Sequence, residues 1–155
     1  MKVKFLDLSL LHNQQKEQIK KGLDEFFENG VYIGGDYVSR FEKNYAEYTL
    51  SKYCCGTSNG LDALILSLKA LGIGLGDEVI VPANTFIATW NAVDLVGAKP
   101  VPVDCENESY QIDTAKITKA ITKQTKAIIG VHLYGTPMIA LVCLVIALVI
   151  FAVSI

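Results

Sequence analysis

The sequence predicts an α/β fold built on a mostly parallel β-sheet, and two observations carry that prediction. From about residue 51 to residue 133, short apolar segments alternate with segments of helical periodicity, the order expected when helices cover both faces of a parallel sheet. The best-defined strand segments, residues 78–81 and 127–133, are also nearly continuous in apolar character, without the polar alternation of a strand that has one wet face. At 155 residues the chain can bury one good core.

The elements follow in order. Residues 12–29 read as a helix, with Ile19, Leu23 and Phe26 on one face and Gly30 as the stop. Residues 31–36 form a turn carrying Gly34-Gly35, where a positive φ is cheap. Residues 37–48 read as a second helix with Val38, Phe41 and Tyr45 on its apolar side, so residues 1–50 are a helical N-terminal segment. Residues 52–56 read as a short strand, after which Leu61, Leu64, Ile65, Leu68 and Leu71 make a helical stripe. Strand 78–81, a helix over about 85–96, strand 100–104, helix 113–122 and strand 127–133 complete the alternation. Gly72-x-Gly74-x-Gly76 is not a dinucleotide loop: it follows a helix and precedes a strand, the reverse of what such a loop requires. Gly72 reads instead as a helix C-cap, and Gly74 and Gly76 as turn residues.

Composition removes several functions. The net charge is −2 with the two signs well mixed, so no basic stripe is offered to nucleic acid. Cys54, Cys55, Cys105 and Cys143 have no C-x-x-C spacing, and His12 lies far in sequence from His132; this speaks against zinc or another bound metal and for buried, reduced thiols. Residues 1–7 are too short and too polar for a signal peptide, which points to the cytoplasm.

Ligands of parallel sheets bind beyond the carboxyl ends of the strands, and three segments there carry suggestive residues. Thr57-Ser58-Asn59-Gly60-Leu61 reads as a turn into a helix whose first N–H groups and dipole offer an anion site; the alternative is a capped helix that binds nothing. In Pro82-Ala83-Asn84-Thr85-Phe86, Asn84 is placed to cap a helix and Phe86 to present an aromatic ring, although Phe86 and Trp90, four apart, also fit a core pair. His132-Leu133-Tyr134-Gly135 follows the last strand as a polar pair in an ordinary turn composition. Together they suit a flat, phosphorylated heterocycle.

Six ordered motifs then carry a resemblance: Phe5-Leu6-Asp7-Leu8, Tyr32-Ile33-Gly34-Gly35, the Ser58–Leu64 turn, Gly76-Asp77-Glu78-Val79-Ile80-Val81-Pro82-Ala83-Asn84-Thr85-Phe86-Ile87-Ala88-Thr89, Gly97-Ala98-Lys99-Pro100-Val101-Pro102-Val103-Asp104, and Thr125-Lys126-Ala127-Ile128-Ile129-Gly130-Val131-His132-Leu133-Tyr134-Gly135. From about residue 4 to residue 137 the chain resembles the N-terminal part of the DegT/StrS family, sugar aminotransferases that use pyridoxal 5′-phosphate on the aspartate-aminotransferase fold (fold type I). Asn59-Gly60-Leu61-Asp62-Ala63-Leu64 with Ala88-Thr89-Trp90 is most similar to members that aminate C3 of a dTDP-3-keto-6-deoxyhexose. The resemblance implies a partial cofactor-binding large domain over residues 51–137. It assigns Ser58, Asn59, Gly60 and Leu61 to the cofactor phosphate and Phe86 to the face of the pyridine ring. It places Ile33, Gly34, Gly35, His132 and Tyr134 toward a keto sugar nucleotide, with an amino acid such as glutamate as donor. It also implies a homodimer whose partner subunit completes the site. A related sugar 3-dehydratase shares the same motifs. In the family, the lysine that binds the cofactor aldehyde and the carboxylate on the pyridinium nitrogen both follow the His-Leu-Tyr-Gly strand. No lysine of these 155 residues stands at a matching position, so no catalytic residue is assigned and the chain is expected to be inactive by itself.

The end of the sequence departs from that pattern. Hydrophobic residues make up 51% and mean hydropathy is +0.34, and the excess lies in residues 138–155, which hold no charge, glycine or proline. An apolar C-terminal helix is expected there. A reading-frame change after Pro137, a tail anchor in the membrane and a helix covering the sheet are the three explanations. Eighteen residues at about 1.5 Å each span about 27 Å, just under the about 30 Å hydrocarbon core. A non-enzymatic, membrane-associated fragment is therefore the alternative function, and open sheet edges predict poor solubility.

Overall fold

The computed structural model describes residues 7–135 and, by their backbone, residues 147–151. The chain divides into two compact units, Met1–Gly56 and Thr57–Ile155.

The first unit holds α1 (Ser9–Asn29) and α2 (Asp36–Tyr48). α1 starts three residues earlier than the apolar periodicity suggests because Asp7 Oδ1 accepts from the Ser9 N–H at 2.9 Å, satisfying a donor of the first turn. It stops at Gly30, whose φ of +65° lets its N–H return to Phe26 O. Tyr37 OH donates to Glu25 Oε2 at 2.9 Å, tying the first turn of α2 to α1, and the Arg40 guanidinium lies 4.7 Å from the Tyr37 ring centre. Donating that bond to Glu25, together with the nearby Glu25 charge, holds the Tyr37 phenol above its ordinary value. The segment 52–56 is not a strand. Gly56 N–H, which a ladder would use, donates to Glu42 Oε1 at 2.7 Å instead. Cys54 is half-buried but Cys55 is exposed, against the expectation of buried thiols; its backbone lies in this unladdered segment.

The second unit is a four-stranded sheet of β1 (Glu78–Pro82), β2 (Lys99–Val103), β3 (Thr125–Val131) and β4 (Ala147–Phe151) in the order β2-β1-β3-β4, every pair parallel. Three helices, α3 (Gly60–Ala70), α4 (Ala88–Leu95) and α5 (Thr114–Ala120), connect and cover it. The side-chain alternation of the strands sorts the core into two layers. Val79 and Val81 of β1 and Ala127, Ile129 and Val131 of β3 pack with Leu64, Leu68, Ala92 and Val93 of α3 and α4. Ile80 and Ile128, one position out of phase, pack with Val103, Ile112 and Ile117 on the α5 side. Both faces are thus dry at the centre, which is why these strands read as continuous apolar runs.

The apolar helix expected over 138–155 is not what the described part of that segment forms. Ala147–Phe151 is a strand, with Ala147 opposite Ala127 and Phe151 opposite Val131. Ala-Leu-Val-Ile-Phe is rich in residues that favour strands, and the otherwise open edge of β3 supplies the partner that a free helix would lack. Residues 136–146 and 152–155 lie outside the described residues, and the proposed anchor with them. Among the described residues no helix is long and apolar enough to cross a membrane.

Gly72 acts as the sequence predicts. Its φ is +72°, its N–H bonds to Lys69 O at 2.9 Å, and the Ile73 N–H bonds to Leu68 O at 3.0 Å. This is the paired closure that ends a helix on a left-handed residue. Gly72→Ala is expected to destabilise the fold by about 1–2 kcal/mol, read as a lower urea midpoint at unchanged slope.

At the amino ends of the strands, Glu78 joins three neighbours. Its Oε1 accepts from Lys99 Nζ at 2.8 Å, its Oε2 from Thr122 Oγ1 at 2.6 Å, and its N–H donates to Gln124 O at 2.8 Å. The bonds from Lys99 and Thr122 lower the Glu78 carboxyl below its ordinary value. A carboxyl depressed on folding adds stability above its unfolded value, about 4.3, and that contribution is lost as pH falls through the folded value. Glu78→Gln is therefore expected to flatten the acid side of the stability profile below about pH 4.3 while leaving its pH 7–9 shape unchanged, as thermal melts across pH will read.

Candidate functional site

The carboxyl ends of β1, β2 and β3 bring several of the predicted segments to one edge of the second unit. α3 begins there. Asn59, extended at φ −164° and ψ 175°, is its N-cap, and Asn59 Oδ1 accepts from the Asp62 N–H at 2.9 Å, the expected use of an asparagine at this position. Thr57 Oγ1 donates to Asn59 O at 3.0 Å and fixes the approach. The first intrahelical bond runs from Ala63 N–H to Asn59 O. The N–H groups of Gly60 and Leu61 are left without an acceptor among the described residues. Two open donors at the positive end of an eleven-residue helix are the features that anion binding requires.

Phe86 comes to the same place from β1. The loop after Pro82 does not enter the helix at once: residues 83–87 are non-helical and α4 starts at Ala88. The expectation that Asn84 caps this helix is thereby corrected, since the cap position is Ile87 and no side chain bonds there. The later start separates Phe86 from Trp90. Trp90 packs against the core and donates Nε1–H to Pro82 O at 3.1 Å, whereas Phe86 is 60% exposed. The core-pair reading therefore fails for Phe86. Its ring, Asn59, Gly60, Leu61, Leu64, Ile87, Ala88, Thr89 and Asn91 line one cavity of about 560 Å³, within the about 300–1,000 Å³ usual for cofactor pockets.

The third segment holds His132 just beyond β3 and Tyr134 in a short 3₁₀ turn, Leu133–Gly135, with Tyr134 left-handed at φ +56°. His132 is half-buried, Tyr134 is 75% exposed, and neither lines the cavity. The turn is held from below. Gln111 is buried, and its Nε2 donates to Leu133 O at 3.0 Å and to Ser109 O at 3.4 Å. Two carbonyl partners fix which end of the amide is nitrogen, and Gln111 Oε1 is buried without a hydrogen-bond partner among the described residues. Next to it, Tyr110 meets Tyr134 edge to face at 6.4 Å.

Lys116 also stands near this edge, but its ammonium bonds to Asp104 Oδ2 at 3.1 Å and Asp113 Oδ2 at 3.3 Å. Those two carboxylates raise its pKa, and Lys116 in turn lowers that of Asp104, so no free amine is offered at pH 7. Among the described residues no lysine lines the cavity. Ile33, Gly34 and Gly35 belong to the other unit, where Gly34 (φ +67°) and Gly35 (φ +82°) make the left-handed turn their sequence predicts. Sequence reasoning missed Asn91 and Gln111, for which no local pattern exists, and Asp62, which the Asn-x-x-Asp spacing of a helix start could have shown.

Residues 13–143 match the model of the DegT/DnrJ/EryC1/StrS aminotransferase family. A dTDP-3-amino-3,6-dideoxy-alpha-D-galactopyranose transaminase of Aneurinibacillus thermoaerophilus is 47% identical over 133 residues, covering 86% of this chain and 37% of that protein. Among solved structures, DesV of S. venezuelae in complex with a ketimine intermediate superposes with a TM-score of 0.84 at 40% identity, covering 88% of this chain and 37% of that one. NtdA of Bacillus subtilis with bound cofactor PMP superposes with a TM-score of 0.82 at 44% identity, covering 86% and 31%. The chain thus spans little more than a third of the length of the curated relative.

Proposed function

The chain belongs to the DegT/DnrJ/EryC1/StrS aminotransferase family, and from that membership we propose that its second unit carries the phosphate-binding and ring-binding part of a pyridoxal 5′-phosphate site in a nucleotide-sugar aminotransferase. One observation carries the reading: the two open N–H groups of Gly60 and Leu61 and the exposed Phe86 ring line the same cavity. The residues fit the group. A phosphate needs donors and positive potential, which the α3 terminus offers, and a flat pyridine needs an aromatic face that the core has not already covered.

When bound, the cofactor supplies an electron-withdrawing ring on which an amino group is carried between donor and acceptor. This chain's residues do the holding. Gly60 and Leu61 N–H take the phosphate, with Ser58 and Asn59 beside them, and Phe86 fixes the plane of the ring. Ile33, Gly34, Gly35, His132 and Tyr134 are proposed to meet a keto sugar nucleotide, in a homodimer whose partner completes the site. The similarity to dTDP-sugar aminotransferases favours a dTDP-keto sugar as acceptor, with an amino acid as donor. The lysine that binds the cofactor aldehyde is assigned, by resemblance, to the part of the relatives that these 155 residues do not span.

The test is binding rather than turnover. Trp90, the single tryptophan, lies in the first turn of α4, four residues after Phe86 in the sequence, and reports the site. Pyridoxamine 5′-phosphate is expected to quench it saturably, with inorganic phosphate competing, and Phe86→Ala to weaken binding about 3–10-fold. Quenching that phosphate does not compete away would overturn the reading.

A further inference from the structure

The first turn of α3, which borders the cup, already holds a negative charge at Asp62. Ser58 Oγ donates to Asp62 Oδ2, and Asn59 Nδ2 lies 3.2 Å from the same oxygen and 3.2 Å from Ser58 Oγ. The Asp62 N–H returns to Asn59 Oδ1 at 2.9 Å. One carboxylate oxygen thus takes both side-chain donors that stand beside the two open backbone N–H groups. Asp62 sits in the first turn of α3, where the helix dipole favours a negative charge. A phosphate at Gly60 and Leu61 would draw on the same dipole and the same Ser58 hydroxyl, and it would feel a like charge close by.

We infer that Asp62 is an internal occupant of the phosphate cup, which Ser58 leaves when the cofactor phosphate arrives. The inference rests on the cofactor reading above. It gives Asp62 a part that capping alone does not: it holds Ser58 and Asn59 in order in the free chain and limits how tightly a phosphate binds. A carboxylate that merely caps α3 would lend the helix stability and leave phosphate affinity unchanged.

Asp62→Asn separates the two. It keeps the shape and an acceptor oxygen but removes the charge, and Asp62→Gln serves if that variant does not fold. Inorganic phosphate and pyridoxamine 5′-phosphate are titrated into the 155-residue chain, following the amide shifts of Gly60 and Leu61. The expected result is 5–20-fold tighter phosphate binding in Asp62→Asn, on the order of 1–2 kcal/mol. That gain should shrink in the Ser58→Ala background, because release of the Ser58 hydroxyl from Asp62 is part of it and only the like-charge part remains. Equal or weaker phosphate binding in Asp62→Asn overturns the inference, as does phosphate binding to neither protein. If phosphate binding tightens while pyridoxamine 5′-phosphate binds neither protein, the cofactor reading fails and this one stands. If pyridoxamine 5′-phosphate binds both equally, the cofactor reading stands and this one fails.

Discussion

Gly60→Pro is expected to remove phosphate-dependent cofactor binding while leaving the fold as stable as before or slightly more so. Gly60 is the first helical residue of α3, the position where proline is favoured because its missing N–H has no helical partner to lose. Its φ is not positive, so the fixed ring angle of proline suits it. Asn59 is already extended at φ −164° and ψ 175°, as a residue before proline must be. A side chain at Gly60 meets nothing within 4 Å. The folded state therefore accepts the ring, and the stiffer unfolded chain adds about 0.4–1 kcal/mol. The cup, however, loses one of its two open donors. A hydrogen bond to a charged group is worth about 1.5–3 kcal/mol, so affinity should fall about 10–150-fold. Titration of Trp90 fluorescence alongside a thermal melt reads both effects. Affinity within about twofold of the parent, in a protein that still melts normally, would show that no phosphate rests on this N–H.

The sequence announced α3 more clearly than α4 for a physical reason. At α3 the cap residue, the glycine and the apolar stripe agree, so start and stop coincide with the structure from Asn59 to Gly72, and the stripe is buried at Leu64 and Leu68 while its last member, Leu71, is exposed. At α4, Asn84 offers a plausible cap, but the chain runs on through non-helical residues 83–87 before the helix begins. That delay is a tertiary effect. Trp90 Nε1 seeks Pro82 O and the indole packs on the core, which sets where α4 sits and leaves Phe86 outside. Propensity cannot see such a constraint. The same holds for Gln111, whose amide meets Leu133 across 22 residues. The segment 147–151 was misread because a uniformly apolar stretch suits a buried helix and a buried strand alike. Only the available edge of β3 decides between them.

Leu68→Ala is the complementary case, with a large loss of stability and little change in the cup's chemistry. Leu68 is fully buried in the layer that joins α3 and α4 to β1 and β3. Its carbonyl also receives the Ile73 N–H in the closure at Gly72, and Ile73 packs in the same layer. Truncation leaves a cavity among residues held by a sheet that cannot shift toward it, so the cost should approach the upper part of the about 2–5 kcal/mol range. That is a large share of the about 5–15 kcal/mol by which a domain is usually stable. Ile117→Ala, in the smaller layer under α5, provides the comparison. Ile117 itself stands on a short seven-residue helix that can settle inward onto the sheet, so a smaller loss is expected. Urea unfolding followed at Trp90 measures both. The N–H groups of Gly60 and Leu61, proposed to hold the phosphate, lie two turns from Leu68 and depend on the Asn59 cap rather than on the leucine. Affinity measured on the folded fraction should therefore stay within about twofold, while Gly60→Pro keeps stability and loses affinity. If Leu68→Ala weakens phosphate binding as strongly as Gly60→Pro does, then the open N–H groups owe their geometry to the packing of α3 and not to its cap.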